Sequence, residues 1–473
     1  MDIYGLKIFM VGIKGTGMTA LAELFKKNGA FVSGSDRTEK FYTDIILDNL
    51  GIPFFESFNI EYLPDDVDLV VHSSAYSAVE NPQLKYALQK GLPVLEYAAA
   101  LGDLSKSRFS VGISGVHGKT TTTALAGTLI KELDLDATVL VGSGVSNFDG
   151  SSVFVNGSRY FVAETCEYRR HFLNFRPDVI VITSIEEDHL DYFRDIDDIY
   201  DAFISYGLKL SQGGTLIYCA DDAGAVHAAQ MIVKRRNDLA VIPYGKKSEG
   251  RYRISEESTG NGEMVFRLEG FDTPFTVKIP GHHIVLDAAA AVAVVEAILA
   301  NEGIAIDAGT QKKIAAGLAA FRGSKRRSEI IGEWKGILVM DDYGHHPTEI
   351  FTTLKGLKEF YPERRLIVDF ASHTYSRTEA LLDEFAGCFS PADMVILHRI
   401  YASAREKKGN ITGRDLFNKV MEKQKEVYYF NEAPESLEFC MEQLTAGDIF
   451  ITMGAGDNWI LGQKIAEELK RTE

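Results

Sequence analysis

Apolar and polar positions along the chain fall into three stretches that share one pattern. A short run rich in β-branched residues ends in a loop, often glycine-containing, and apolar positions at helical spacing follow. That alternation is the signature of βαβ units, so the expected fold class is α/β with parallel sheets. In the first stretch the pattern predicts strands at Lys7 to Val11, Phe31 to Ser35 and Val67 to His72, with a last helix ending near Leu104. The second opens with a strand from Arg108 to Ile113 and continues through strands at Tyr160 to Ala163 and Val179 to Thr183. Residues 251–279 alternate like antiparallel strands. The third stretch, after Phe321-Arg322-Gly323, carries strands at Gly336 to Met340, Leu366 to Phe370, Met394 to Leu397 and Ile449 to Met453. The apolar run Ala288 to Ala300, interrupted by Glu296, reads as a buried helix shorter than the roughly 20 residues that span a bilayer.

At about 100 to 200 residues per domain, 473 residues predict three domains, placed at 1–105, 106–322 and 323–473. The formal net charge of −17 argues against nucleic acid or an anionic membrane as the main partner. Cys166, Cys219, Cys388 and Cys440 form no C-x-x-C pair, which fits a reducing, cytoplasmic compartment better than a disulfide or zinc framework. Met1-Asp2-Ile3-Tyr4 offers no basic segment of a secretion signal.

The most specific chemistry lies in Ser114-Gly115-Val116-His117-Gly118-Lys119-Thr120-Thr121, between a predicted strand and a predicted helix. Glycines there let backbone N–H groups approach phosphate oxygens, Lys119 has the reach for the β and γ phosphates, and the Thr120 hydroxyl suits Mg²⁺. Ile113 stands where the full motif has a glycine, so the match is to its G-x-x-G-K-T core. A second loop, Gly12-Ile13-Lys14-Gly15-Thr16-Gly17, follows the first strand, with Asp36 at the end of the next. It suits a nucleotide diphosphate or is a plain tight turn; its glycine order is a weak signal for a dinucleotide dehydrogenase. Glu164 follows one central strand, and Glu186, Glu187, Asp188, His189 and Asp191 follow another, at the strand ends where α/β proteins bind ligands. Beside a nucleotide, such carboxylates and an imidazole suggest Mg²⁺; by themselves they are a solvated acidic turn. His345-His346 resembles part of a metal site, but Pro347 breaks the helical spacing of zinc enzymes, which favours substrate binding or capping. Arg326-Arg327 is either an exposed turn or a charge that neutralises a transferring phosphoryl group.

These motifs together resemble the Mur ligases of bacterial cell-wall synthesis over nearly the whole chain. The resemblance is carried in order by Gly12 to Met18, Ser73-Ser74-Ala75 with Asn81-Pro82, Val116 to Thr122, Ile185-Glu186-x-Asp188-His189, Arg326-Arg327, Asp342 to Pro347, Tyr375-Ser376-Arg377 and Gly454 to Asp457. The Tyr343 to Pro347 string looks like the alanine-adding branch and the muropeptide-recycling ligase. The resemblance implies a Rossmann-like first domain for UDP-N-acetylmuramate, a central P-loop ATPase-type domain for ATP, and a Rossmann-like C-terminal domain that meets L-alanine. It further implies ATP-dependent amide synthesis through an acyl phosphate, with Mg²⁺ as cofactor. Residue by residue, it assigns Gly115, His117, Gly118, Lys119, Thr120 and Thr121 to the phosphate loop, Thr120, Glu164 and His189 to the metal, and Arg326 to ATP. Gly12, Gly15, Gly17, Met18, Asp36, Ser73 and Ser74 fall to the UDP-sugar. Tyr343, His345, His373 and Arg377 line the muramate and amino-acid end, with Lys119, Arg326, His345 and Arg377 as the catalytic set.

The chain departs from the family at several places. The adenine motif reads Gly281-His282-His283-Ile284-Val285-Leu286-Asp287, with both amides replaced. An amide donates and accepts, whereas an ionised Asp287 only accepts. His283 and Asp287, four apart at a helix start, face one side and are expected either to contact the base or, for Asp287, to cap the helix. Ser184 replaces an Asn, Glu164-Thr165-Cys166-Glu167 replaces a more acidic segment, and Thr374 replaces an arginine. A tripeptide-adding recycling ligase and a non-catalytic nucleotide binder are the competing readings.

Overall fold

The computed structural model describes residues 1–189, 192–260, 262–402 and 409–472, so Asp191 of the acidic run lies outside the described residues. Three mainly parallel sheets follow one another along the chain, as the alternating pattern predicts. The first is five-stranded and all parallel, in the order Phe54–Phe55, Phe31–Ser35, Lys7–Val11, Leu69–His72, Val94–Glu96. The chain leaves Lys7–Val11 to opposite sides, which opens a crevice at its carboxyl end. Gly12 and Ser73, which follow two adjacent strands, line that crevice.

The second sheet has seven strands, with Phe109–Ser114 between Tyr160–Glu164 and Val179–Ile182. This order sets the phosphate-loop segment between Glu164 and Ser184. Residues 254–277 form the expected antiparallel three-stranded sheet. The third parallel sheet has six strands, with Asp448–Met453 between Ile337–Asp342 and Arg365–Phe370 and an antiparallel edge strand, Glu329–Trp334.

One sequence expectation is corrected. The apolar run belongs to a helix of 20 residues, His282–Asn301, long and apolar enough to cross a bilayer by length and composition. It extends past the apolar run because His282 and His283 begin it and Asn301 ends it. Its Val285, Ala289, Val292 and Val295 are fully buried, so it serves as a core helix packed on Lys119–Glu132. At about 1.5–3 kcal/mol for a fully buried aliphatic side chain, such burial dominates its stability over intrinsic propensity. One large apolar cluster runs through the first two sheets and takes in Phe360, the first sheet has a smaller cluster on its other face, and the C-terminal sheet has separate clusters on its two faces.

Candidate functional site

The phosphate-loop segment takes its shape from backbone requirements that glycine meets. Gly118 has φ +80°, and a Cβ there would stand 2.6 Å from Asp287 Oδ1. The loop is pinned by Ser184, whose carbonyl accepts from Val116 N–H and whose hydroxyl accepts from His117 N–H, both at 2.9 Å. Helix Lys119–Glu132 starts directly after it, so its free N–H groups and dipole face the space an anion would fill. Thr121 is buried in the first turn.

Lys119 Nζ donates to the carbonyls of Gly115 and Val116 and pairs with Glu167 at 3.1 Å. Burial alone would lower its pKa, but Glu167, with Glu164 and other neighbours adding to it, more than offsets burial and holds the ammonium above the usual lysine range. Glu167 also lies 3.5 Å from His189 Nε2 and is pulled down chiefly by Lys119, against the opposing effect of burial. Its only sequence signal is its place in the Glu164 to Glu167 segment. Thr120 Oγ1 donates to Glu164 at 2.9 Å, and Gly142 N–H donates to the same oxygen at 3.0 Å. A hydroxyl and a carboxylate side by side are hard oxygen donors of the kind Mg²⁺ takes, so this pair fits the expected ion. His189, in a left-handed conformation with φ 54°, is 27 % exposed and held by Glu167 and Asp188.

The C-terminal unit contributes its strand ends. Arg326 Nε donates to Asp341 at 2.9 Å and its Nη2 to the Gly454 carbonyl at 2.7 Å, with the guanidinium over the Tyr343 ring. Arg327, beside it, is more exposed and lies 3.7 Å from Glu349. Arg377 Nη2 donates to Asp188 at 2.7 Å, and the surrounding cations, His189 first, hold that carboxyl below its usual range although burial opposes them. His345 Nδ1 lies 2.9 Å from the Tyr343 carbonyl and must donate its proton there, which leaves Nε2 unprotonated. Burial pushes the His345 pKa down to about 3, so the ring is neutral. Its ring stands against those of Tyr343 and His373.

His346 caps helix Pro347–Phe360 in a capping box with Glu349, one of the two roles the sequence suggests for it. Glu349 accepts from His117 Nδ1 at 2.9 Å and was missed in the sequence, although His346-Pro347-Thr348-Glu349 has the spacing of a cap. Burial lowers the His117 imidazole, yet Glu349 and then Glu186 outweigh it and push its pKa up to about 10.

Two cavities join these pieces. One of ≈ 400 Å³ is lined by Gly15, Gly17, Met18, Ser73 and Ser74 of the first unit, Thr120 and Glu164 of the second, and Arg326 and Tyr343 of the third. Another of ≈ 940 Å³ is lined by Gly12, Gly15, Asp36, Ser73, His189, Arg326, Tyr343, His373 and Arg377. Asp36 is buried and accepts from Lys14 N–H at 2.7 Å and from the Tyr76 hydroxyl at 3.0 Å, so it braces the glycine loop. His345 lines neither cavity and sits one ring behind their wall. His283 and Asp287 also line neither. Asp287 lies under the loop and accepts from Thr122 Oγ1 at 2.9 Å, while burial pushes its pKa up to about 7. His283 Nδ1 is buried without a hydrogen-bond partner, and burial takes its pKa down to about 4.

Known proteins match along the full length. Models described as the Mur ligase family catalytic domain, the Mur ligase middle domain and the Mur ligase glutamate ligase domain match residues 7–109, 113–295 and 326–456. A UDP-N-acetylmuramate–L-alanine ligase of Treponema pallidum (strain Nichols) is 49% identical over 99% of this chain and 98% of its own. Its counterpart in Borreliella burgdorferi is 38% identical over 96% of this chain and 97% of its own. The crystal structure of the UDP-N-acetylmuramate–alanine ligase of Thermotoga maritima superposes with a TM-score of 0.80 at 25% identity, covering 99% of this chain and 100% of that one. A murein peptide ligase from Psychrobacter arcticus shares the fold, with a TM-score of 0.69 at 24% identity over 98% and 99% of the two chains.

Proposed function

The chain belongs to the Mur ligase family, and from that premise we propose that it joins L-alanine to the carboxylate of UDP-N-acetylmuramate at the expense of ATP, for peptidoglycan synthesis. The observation that carries this reading is the 49% identity to an alanine-adding ligase over 99% of the chain. The convergence of three strand-end edges on shared cavities supports it. The likeness to the recycling ligase extends to the fold alone.

In the reaction, a carboxylate oxygen of the UDP-sugar attacks the γ-phosphorus and ADP leaves. The alanine amine then attacks the acyl carbon, phosphate departs, and the amine gives up a proton. Both steps build negative charge that needs fixed partners. Lys119 is the cation at the phosphate loop, and exchanging its carbonyl and Glu167 contacts for phosphate oxygens is its role on this reading. Mg²⁺, when bound, neutralises phosphate charge, and Thr120 and Glu164 would hold it, with His189 the third residue the family resemblance assigns to the metal. Arg326, the arginine assigned to ATP, lines both cavities while fixed by Asp341, and its guanidinium and that of Arg327 both lie over the Tyr343 ring. Arg377 and His373 serve the amino-acid end of the larger cavity, with His345 as a positioning residue that sets the Tyr343 and His373 rings. The first domain takes the UDP-sugar through Gly15, Gly17, Ser73 and Ser74.

Phosphate release measured with ATP, Mg²⁺ and UDP-N-acetylmuramate against a panel of amino acids and short peptides tests the assignment. L-Alanine is expected to support the highest kcat/KM; turnover only with an L-Ala-D-Glu-type peptide would reassign the chain to recycling.

A further inference from the structure

The histidine pair beside Pro347 lacks further ligands in its own segment, and the fold supplies them from elsewhere in the chain. His117 of the phosphate loop, Glu186 after strand Val179–Ile182 and His346 at the helix start bring one ligand atom each within 4.8 Å of one another. His117 Nε2 touches the Glu186 carboxylate, and His346 Nδ1 stands 3.4 Å from the same oxygen. A tetrahedral ion with bonds of about 2.0–2.2 Å holds its donors about 3.3–3.6 Å apart, so the spacing of His346 from Glu186 fits, and His117, too near Glu186, has to back away from it. His346 is 5% exposed, and its Nε2 has no hydrogen-bond partner. Its Nδ1, the nitrogen facing Glu186, accepts a 3.3 Å bond from Thr348 N–H as the helix cap, and an ion would take that lone pair in its place. The ring is buried with its hydrogen-bonding capacity poorly used.

The surroundings have the form of a metal site's outer shell. Glu349 accepts from His117 Nδ1 at 2.9 Å, and a carboxylate behind an imidazole fixes the tautomer that leaves Nε2 free for an ion. Glu349 is itself held by His345 N–H at 3.1 Å, and the second oxygen of Glu186 accepts from Thr348 Oγ1 at 3.1 Å. Two imidazoles and one carboxylate select zinc-class ions, whereas Mg²⁺ prefers all-oxygen sets such as Thr120 with Glu164.

We propose that His117, Glu186 and His346 bind one divalent transition-metal ion of the zinc class, tying the phosphate loop to the C-terminal unit and leaving a fourth position open. The proposal stands apart from the ligase reading, because it concerns binding by the chain without substrates. The competing occupant of the gap is a proton on His117 shared with the two carboxylates.

The test is a cobalt titration of the full chain, stripped with chelator and dialysed into excess Mg²⁺, followed by visible absorption and by metal content per chain. One Co²⁺ per chain with the intense visible bands of four-coordinate cobalt, displaced by Zn²⁺ and not by further Mg²⁺, is expected. His346→Gln and Glu186→Gln, each with its fold checked by circular dichroism, should lose the bands, and Glu349→Gln should weaken binding about 10- to 100-fold. A wild type without these bands, as a proton-only gap requires, overturns the proposal without reference to any variant's stability. Bands that persist in both His346→Gln and Glu186→Gln also overturn it.

Discussion

Gly12 and Gly15 stand three residues apart in one loop and answer different requirements. Gly12 has φ +82°, and a Cβ there would stand 2.6 Å from the Tyr76 ring, so any side chain disrupts the turn. Gly15 has φ −59°, and a Cβ there meets nothing closer than 3.5 Å while the residue lines both cavities. Gly15→Val should therefore fold and fill the UDP-sugar space, raising KM for that substrate far more than KM for ATP in steady-state assays. Equal losses for both substrates would contradict the assignment of the first domain.

Asp287 gives a residue-scale prediction in pH. Its folded pKa of about 7 lies above the ordinary 3.8, because burial disfavours the carboxylate. The folded state then binds more protons than the unfolded state between these values, so this group costs stability as pH rises through that window, and the cost levels off above about 7. Asparagine carries no charge to bury. The stability of Asp287→Asn relative to the parent, measured by denaturant unfolding, should rise from about pH 4 to about pH 7 and then flatten. Since Asp287 contacts Thr122 beneath the loop, the same variant should leave the ATP/GTP ratio of kcat/KM within about twofold of wild type, roughly 0.4 kcal/mol.

At the scale of elements, the C-terminal sheet presents its strand ends through Arg326, which joins the segment before Glu329–Trp334 to Asp341 on one strand and Gly454 after another. Both side chains of the pair are nearly inaccessible. Arg326→Met should lower the denaturant midpoint of the C-terminal unit by the equivalent of about 3 kcal/mol, since Asp341 is left buried and unpaired. An unchanged midpoint would show that the pair contributes nothing. The strands that frame the site were legible because each is a short apolar run ending in a motif, and Lys7–Val11 and Met394–Leu397 match residue for residue. Short or polar strands such as Phe54–Phe55 and Glu329–Trp334 carry no such run and were not seen. Sheet order was hidden for a different reason: periodicity is local, whereas order depends on which crossover packs where. Lys119 with Glu167 is a pair that strand order creates, across 48 residues, and His117 with Glu349 one that the packing of two units creates, across 232. The phosphate loop was readable because its glycines, lysine and threonine are consecutive.

For the whole molecule, the division of the core bears on function. The first two units share a large apolar cluster, whereas the C-terminal unit has its own clusters, reaches the shared one through Phe360, and otherwise meets the central unit through polar contacts such as Arg377 with Asp188 and His117 with Glu349. Polar interfaces of this kind favour relative domain motion, which a three-substrate reaction needs for entry and release. The carboxylate of the UDP-sugar is the oxygen donor that links ATP cleavage to amide formation on this mechanism. The direct measurement labels that carboxylate with oxygen-18 and follows the label during turnover with ATP and L-alanine by mass spectrometry. Released phosphate should carry one labelled oxygen, and the new amide carbonyl should keep the other. Unlabelled phosphate, with both labelled oxygens still on the sugar's carboxylate, would contradict this mechanism.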